Sequence, residues 1–271
     1  TGTAVTYHGD GSNLTGIEFG VENFVASGTI DNGATVILKD DGTVGIVTQT
    51  GSSSPSVGTP VVFNSGSCPY INSVYDSTNG KIVIAYQDHG NSSYGTAIVG
   101  TISGTSISFG SEVVYESASA HYDKIAYIGS SKVVIAYVDH GNSEYGTAIV
   151  GTVSGTSISF GSAAVFESAK VQDPAIAYVG SDKVVIAYDD DANSNYGTAV
   201  VGTISGTSIS FGTPVVFQSD AIYKTSIEYD SINDKVVIVY QNNGNSNKGT
   251  AIVGTVSGTS ISFGSAATFE T

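Results

Sequence analysis

The sequence contains no arginine, no tryptophan and no methionine, and it has one cysteine in 271 residues. Arginine supplies the bidentate contacts that proteins make to phosphates and base edges, and the nine basic residues here are all lysine. The formal net charge of −15 also repels phosphate backbones. We therefore predict no nucleic-acid partner. No stretch approaches the roughly 20 apolar residues of a membrane-spanning helix, so we predict no membrane insertion.

The one cysteine, Cys68, has no partner in the chain for a disulfide, and we expect a buried or half-buried small residue there. Charged residues make up only 12 % of the chain, whereas glycine occurs 34 times. Valine, isoleucine, threonine and tyrosine alternate with serine, glycine and asparagine, a pattern that favours strands joined by tight turns. Because the chain begins at Thr1 and has no methionine, we expect it to be processed or cut from a longer protein.

One sequence unit recurs four times. The run YGTAIVGT begins at Tyr94 and returns in the same or closely similar form at Tyr145, Tyr196 and Lys248, which are 51, 51 and 52 residues apart. The run SGTSISFG follows each copy, and an apolar run that ends in tyrosine precedes each copy. Such self-similarity at a fixed period is typical of repeat architectures.

Each unit is predicted to contain four short strands. In the unit around Tyr145 these are A at 124–128, B at 132–138, C at 147–153 and D at 157–166. Strand B is nearly all apolar, which predicts burial on both faces, and strand D alternates serine with Ile158 and Phe160, which predicts one solvated face. Four strands in about 51 residues is the size of a propeller blade.

The predicted fold is therefore all-β, a five-bladed β-propeller whose first blade is irregular. In that first unit, residues 35–38 and 43–48 match strands A and B and residues 57–63 match strand D, but the segment between them is too short for strand C. Residues 16–20 resemble strand D, so we expect an N-terminal segment, 1–22, to supply a strand that closes the ring or fills the gap in the first blade. The propeller is predicted over 23–271, with blades at about 23–67, 68–118, 119–169, 170–220 and 221–271.

The loop between strands B and C is the candidate ligand-binding element. It combines acidic or amide side chains, histidine, asparagine and tyrosine, which are the groups that bind sugar hydroxyls and stack on sugar rings. Oxygen ligands in a loop with glycine could also hold calcium, and a third reading is a plain Asx-turn connection with no ligand. The candidate residues are Asp88, His89, Asn91, Tyr94, Asp139, His140, Asn142, Tyr145, Asp190, Asn193, Tyr196, Asn242 and Asn245.

Catalysis is not predicted. No Gly-x-Ser-x-Gly elbow and no cluster with zinc spacing occurs, and the arginine cluster that sialidases use is excluded by composition. The C–D hairpin resembles the Asp-box hairpin of sialidase-like propellers, but it lacks the Asp and has Phe in place of Trp, so it supports only the blade. The alternative is a glycan-degrading enzyme with carboxylates that meet at the propeller axis. The candidate catalytic carboxylates of such an enzyme are Asp31, Asp76, Asp123, Asp173 and Glu228. The competing interpretation is that these carboxylates belong to solvated turns.

Residues 9–17, GDGSNLTGI, resemble a motif of tail-fibre and other virion structural proteins of marine bacteriophages, notably cyanophages. The repeat over about 70–271 resembles arrays in the same proteins. This resemblance implies a virion or extracellular location, other virion proteins as partners and a trimer when mounted on a fibre. It implies a receptor-binding module for host-surface glycans, with a purely structural decoration or spacer as the alternative. Apart from the calcium considered above, we expect no cofactor.

Overall fold

The computed structural model describes residues 26, 28–30, 36–39, 41–46 and 57–269. The chain divides into two compact units, residues 1–56 and 57–271. In the first unit, β1 (Val36–Leu38) and β2 (Val44–Ile46) form an antiparallel hairpin, so strands lie within the predicted 35–38 and 43–48. The predicted fibre-like segment 1–22, the motif at 9–17 and Asp31 lie outside the described residues.

The second unit is all-β, and its strands form one antiparallel network of seventeen. The strands are β3 (Asn72–Asp76), β4 (Lys81–Asp88), β5 (Tyr94–Ser103), β6 (Ser106–Phe109), β7 (Val113–Gly129), β8 (Lys132–Asp139), β9 (Tyr145–Ser154), β10 (Ser157–Phe160), β11 (Ala164–Tyr178), β12 (Lys183–Asp190), β13 (Tyr196–Ser205), β14 (Ser208–Phe211), β15 (Val215–Asp230), β16 (Lys235–Asn242), β17 (Lys248–Ser257), β18 (Ser260–Phe263) and β19 (Ala267–Thr268). Four 3₁₀ turns connect the predicted B and C strands: His89–Asn91, His140–Asn142, Asp191–Asn193 and Asn243–Asn245.

These strands form four repeated sheets. Sheet 1 consists of β3, β4, β5 and β6 with the first part of β7. Sheet 2 consists of the second part of β7, then β8, β9 and β10 with the first part of β11. Sheet 3 continues in the same way from β11 to β15, and sheet 4 from β15 to β19. Each long strand thus ends one sheet and begins the next.

The B strands form the centres of these sheets. In β8, every residue from Val133 to Val138 is 2 % exposed or less, which confirms the predicted burial on both faces. A run of this kind contributes most of the hydrophobic stabilisation of a sheet, because alternate side chains pack against the sheets on either side.

The predicted single strand D at 157–166 is wrong. The structure divides it into β10, which pairs with the end of β9, and the start of β11, which pairs with the beginning of β9. Between them the chain passes Gly161, where a side-chain Cβ would lie 1.9 Å from the carbonyl oxygen of Thr207 in the next sheet. This close approach separates the two strands, and the sequence gives no direct sign of a contact between repeats.

The region predicted as strand D of the first unit, residues 57–63, also differs from the prediction, because no strand is present there. Its Phe63 nevertheless packs on Tyr86 and Phe109, with ring centroids 5.2 and 5.7 Å apart. The half-buried Cys68 contacts the same cluster. The aromatic packing at Phe63 is therefore present although residues 57–63 form no strand.

The same aromatic contact joins each later pair of sheets. An aromatic residue near the start of each long strand packs on the buried tyrosine and on the D-strand phenylalanine of the following sheet, with centroid distances of 5.2–5.8 Å. The three sets are Tyr115–Tyr137–Phe160, Phe166–Tyr188–Phe211 and Phe217–Tyr240–Phe263. These tilted and edge-on geometries are the preferred ones for aromatic pairs.

Within this unit, the inner strands β3, β7, β11 and β15 line one axial cavity of about 340 Å³. Its wall is mixed. Ile125, Ile176 and Ile227 come from three different sheets, and the polar lining residues are Asn72, Lys124, Thr225, Ser226 and Glu228. Sheets that meet around a common cavity through their inner strands give the unit a propeller-like arrangement.

Candidate functional site

Three of the four 3₁₀ turns between the B and C strands follow the same local design. Asp88, Asp139 and Asp190 precede the turns, and each carboxylate accepts one or two backbone N–H groups at 2.9–3.2 Å. These aspartates are buried. They satisfy N–H groups that the turn leaves without backbone partners, as capping residues do. Asn242, the fourth copy, is also buried but makes no cap, and its Oδ1 has no hydrogen-bond partner.

The other predicted loop residues reach the surface to different extents. Six of them are exposed, namely His89, Asn91, His140, Asn142, Asn193 and Asn245. Tyr94, Tyr145 and Tyr196 are half-buried at the first positions of their C strands. The structure therefore places the loops together on one face, and ligand binding by these residues stays a prediction.

The crossings between sheets lie on the same face as the loops. Each long strand changes sheets at a register shift beside one residue in the left-handed region, namely Tyr122, Asp173 and Lys224 with φ of 58°, 42° and 55°. Tyr70, which precedes β3, has φ of 55°. Residues other than glycine and asparagine are uncommon in this conformation, which costs about 1–2 kcal/mol.

The crossings around sheet 2 enclose a concave site, which we call the crossover groove. It measures about 120 Å³ and has a floor of Val138 and Val171. Its polar and aromatic lining is His121, Tyr122, His140, Glu144, Lys170 and Gln172. Of the thirteen predicted loop residues, the groove includes His140.

An ion pair crosses the groove. Lys170 Nζ lies 3.0 Å from Glu144 Oε2, and His140 Nδ1 lies 3.4 Å from Glu144 Oε1. The hydrogen bond from Lys170 lowers the pKa of the Glu144 carboxyl, and the same contact raises the pKa of Lys170. Each side chain of the pair remains partly exposed, so its polar atoms are accessible to a ligand.

Two imidazole rings form the other wall of the groove. The ring centroids of His121 and His140 are 3.7 Å apart. Burial, together with the neighbouring charge of His140, lowers the pKa of His121. Tyr70 packs on this wall at 5.0 Å from His121 and 4.8 Å from Tyr122, measured between centroids. The imidazole nitrogens can exchange hydrogen bonds with a ligand, and the tyrosine rings offer flat apolar surfaces.

Polar contacts extend from the groove towards sheet 1. His121 Nε2 is hydrogen-bonded to Ser119 Oγ at 3.2 Å, and Gln87 Nε2 donates to the same hydroxyl at 2.9 Å. The ring nitrogen Nε2 of His89 is hydrogen-bonded to Gln87 Oε1 at 3.0 Å. The predicted residue His89 is therefore linked to the groove through two intermediate side chains.

Sheet 3 carries an acidic counterpart. Gln172 Nε2 donates to Asp191 Oδ1 at 3.1 Å. With its amide nitrogen facing the carboxylates, Asn195 donates to Asp191 Oδ1 at 2.9 Å and to Asp189 Oδ1 at 3.1 Å. Burial, and then the charges of Asp191 and Asp173, raise the pKa of Asp189 to about 7. Equivalent places in neighbouring sheets thus differ widely in charge.

The carboxylates considered for axial catalysis do not all line the axis. Asp76 is buried and caps the following turn, accepting from Thr78 N at 2.9 Å. Burial raises the pKa of Asp123 to about 7, and neither of its oxygens makes a hydrogen bond. Asp173 lies on the crossover face, where Lys224 N donates to it at 3.4 Å. Of these four, Glu228 lines the axial cavity.

Sequence reasoning missed His121, Tyr122, Glu144, Lys170 and Gln172. A signal was present, because the repeats are nearly identical in strands B and C but differ completely at the crossings. The three crossing segments read SAHYDK at 119–124, KVQDPA at 170–175 and AIYKTS at 221–226. Such divergence within a constant scaffold marks positions where side chains are not fixed by the fold.

Neither a family model nor a curated protein matches this sequence. The chain is similar in structure to the NanB sialidase of Streptococcus pneumoniae in complex with 2-[(3-chlorobenzyl)ammonio]ethanesulfonate, with a TM-score of 0.47 and 13 % identity. That match covers 63 % of this chain and 27 % of the sialidase chain. The chain is also similar to a mutant of Aleuria aurantia lectin in complex with alpha-methyl-L-fucoside, with a TM-score of 0.44 and 17 % identity over 70 % of this chain and 57 % of the lectin.

The prediction that the chain is not an enzyme is wrong, because the matched structures include NanB sialidases, which are enzymes. The absence of arginine excludes only one way of holding a substrate carboxylate. Among the described residues, no group of three histidine, cysteine, aspartate or glutamate side chains could hold a metal ion. In the same part of the chain, no helix has the length and apolar character needed to cross a membrane.

Proposed function

We propose that this protein binds glycans through the face that carries the crossovers and the 3₁₀ turns. The observation that carries the proposal is the crossover groove, where one aromatic ring, two imidazoles, a carboxylate, an ammonium and an amide surround a shallow concave surface. Sugars are bound by combinations of this kind, because the polar groups exchange hydrogen bonds with hydroxyls and the aromatic ring covers an apolar sugar face.

The repetition of the sheets supports weak binding at several places. Each sheet brings a 3₁₀ turn and a crossing to the same face, so one glycan chain or a carpet of glycans could contact more than one sheet. Linked weak sites raise the overall avidity without any strong single contact. The different side chains at equivalent crossings, such as Tyr122, Asp173 and Lys224, would give the individual sites different preferences.

The biological setting of the proposal is attachment of a bacteriophage to its host. The resemblance of residues 9–17 and of the repeat to virion structural proteins supports it. In this setting the protein is a receptor-binding module on the virion, exposed to the extracellular medium and associated with other virion proteins, as a trimer when mounted on a fibre. We also propose the finer architecture of a five-bladed propeller with an irregular first blade at about residues 23–67.

A glycan array with the labelled full chain tests the function. We expect binding to a subset of surface glycans, and a loss of about tenfold or more in Tyr122→Ala and Gln172→Ala, since about 1.4 kcal/mol corresponds to a factor of ten in affinity. Tyr75→Ala is the matched control, because Tyr75 is an exposed tyrosine near the end of β3 that leads into the turn to β4. Absence of binding to every glycan, or equal loss in Tyr75→Ala, would contradict the proposal.

A further inference from the structure

We propose that the crossover groove binds a sugar that carries a carboxylate, and that Glu144 occupies the place of this carboxylate in the free protein. This inference rests on the proposed function and names the class of ligand for the same site. Lys170 and His140 are the groups that would hold the carboxylate of the sugar, and Tyr122 is the ring against which the sugar would stack.

The geometry of Glu144 is that of a bound carboxylate. Its two oxygens face different partners, Lys170 Nζ at 3.0 Å and His140 Nδ1 at 3.4 Å. The two partners come from separate elements, β11 and the 3₁₀ turn His140–Asn142. The groove therefore already presents two nitrogen atoms at the spacing of one carboxylate, and one of them, the ammonium nitrogen of Lys170, provides the charge-assisted contact.

The backbone of Glu144 is in the left-handed region, with φ of 62°. The same loop position is occupied by Ser93, Asn195 and Asn247 in the other sheets, with φ of 63°, 59° and 63°. Asparagine tolerates this conformation better than glutamate does. A glutamate at a position that favours asparagine points to a role for its side chain, and the carboxylate contacts Lys170 and His140.

Glu144 and its partner Lys170 occur together in a single sheet. The residues that pair with the first tyrosine of the C strands are Ser119 opposite Tyr94, Lys170 opposite Tyr145 and Ala221 opposite Tyr196. The lysine thus appears in the one sheet of these three whose loop carries glutamate. Coincidence of an acid and its lysine at two variable positions indicates a carboxylate site, whereas a plain connecting loop needs neither.

The groove also places one ammonium group in an acidic chain. Lys170 lies in the groove with His121, His140 and the carboxylate of Glu144, and the charge of Asp191 also acts on Lys170. The net charge of −15 opposes the approach of an anion. Salt screens this electrostatic repulsion beyond about 8 Å at physiological ionic strength, so contacts within the groove decide the affinity for the anion.

Tyr122 provides an aromatic surface on which the ring of a sugar could stack. Tyr122 is half-buried, held by Tyr70 at 4.8 Å between ring centroids, and lies in the same groove as the ion pair. In this site the carboxylate of a hexuronate would contact Lys170 and His140, and its ring would stack on Tyr122. Its hydroxyls would lie near the amide of Gln172. Displaced by this ligand, Glu144 would turn towards solvent.

Two methyl glycosides that differ only at carbon six test the inference. We would titrate methyl glucuronide and methyl glucoside into the full chain and follow binding by calorimetry and by NMR. Glu144→Ser installs the residue of the sister loop, Ser93, and Lys170→Ser installs the sister residue Ser119. We expect Glu144→Ser to bind the glucuronide about tenfold more tightly than the native chain, because the internal competitor is gone, and Lys170→Ser to lose it by about tenfold. Binding of the glucoside should be weak and equal in all three proteins.

The outcomes separate this inference from the proposed function. If the native chain binds both glycosides equally and neither substitution changes the ratio, the carboxylate inference is overturned while glycan binding stands. If the glycan array is positive but contains no acidic sugar among the bound glycans, the inference is overturned in the same way. If neither the array nor the glycosides give binding, both the inference and the proposed function are overturned.

Discussion

Gly161 lies against the carbonyl oxygen of Thr207 so closely that a Cβ on Gly161 would be 1.9 Å from that oxygen. The same contact recurs between Gly110 and Thr156 and between Gly212 and Thr259. Each glycine sits where the chain leaves one D strand and each threonine sits in the C–D turn of the following sheet. These contacts fix the spacing between sheets, since the obstacle is backbone rather than a movable side chain.

Gly161→Ala is therefore expected to destabilise the protein by about 1–3 kcal/mol, the usual cost of inserting a methyl group into close-packed surroundings. Urea unfolding followed by circular dichroism measures the change. Gly264→Ala is the matched control, because Gly264 follows the last D strand and a Cβ there would come no closer than 3.8 Å to another atom. Equal loss in both variants would show that the contact with Thr207 does not set the effect.

The stability of the protein should depend on Asp189. Its pKa is raised to about 7 by burial and by neighbouring aspartates, above the usual value near 3.9. A carboxyl with a raised folded-state pKa stabilises the fold fully below its unfolded pKa, and this contribution is lost as pH rises to about 7. We expect the unfolding free energy of the native chain to fall between pH 4 and 7 by the order of 1 kcal/mol from this group.

Asp189→Gln should reduce that pH dependence and stabilise the protein at pH 8, because Gln87 and Gln241 occupy the equivalent place in sheets 1 and 4. Denaturant unfolding at pH 5 and pH 8 measures both effects. Part of the slope should persist, since the pKa of buried Asp123 is also raised to about 7. An unchanged slope in Asp189→Gln would contradict the assignment.

His121 should titrate below the usual histidine pKa of about 6.5. Burial lowers its pKa first and the charge of His140 lowers it further, Glu144 opposes them, and His89 adds a small lowering effect. Replacing His140 with asparagine, the sister residue at Asn243, should raise the pKa of His121 because one neighbouring positive charge is removed. NMR titration of the imidazole resonances measures the change, and a pKa of His121 that stays the same in His140→Asn would refute the coupling.

Lys224 lies at a crossing and has a left-handed backbone conformation, so a substitution there tests the cost of this conformation without removing packed side-chain atoms. Lys224 has φ of 55° and a side chain that is 81 % exposed. Lys224→Gly should raise the unfolding free energy by about 0.5–1 kcal/mol, since glycine adopts this conformation without steric cost. In Lys235→Gly, where the lysine opens β16, we expect destabilisation instead, because glycine weakens a strand.

The strands were predictable because their signals are local. Val133 to Val138 form an apolar run of strand length, and the glycine-containing turns mark its ends, so the B strands and the repeat could be read directly. The crossings could not be read in this way. Tyr122 and Lys224 adopt a left-handed conformation for which their side chains give no signal, and the break at Gly161 depends on a contact with another repeat.

The site was predicted only in part for a related reason. His140 belongs to a loop whose composition is distinctive, and it was among the candidates. Glu144 was passed over in that same loop, and its partner Lys170 is 26 residues further along the chain. The two meet because β11 returns along β9, and a pairing of this kind requires the register of the sheet, which composition does not provide.

The central claim is that glycans bind at the crossover groove, and NMR mapping on the isotope-labelled full chain tests it most directly. With a glycan selected from the array, we expect chemical-shift changes at Tyr122, His140, Lys170 and Gln172 that saturate together, and none at Tyr75 at the opposite end of the inner strands. Changes confined to the axial cavity or to the turns that follow the inner strands would contradict it, as would the absence of any saturable change.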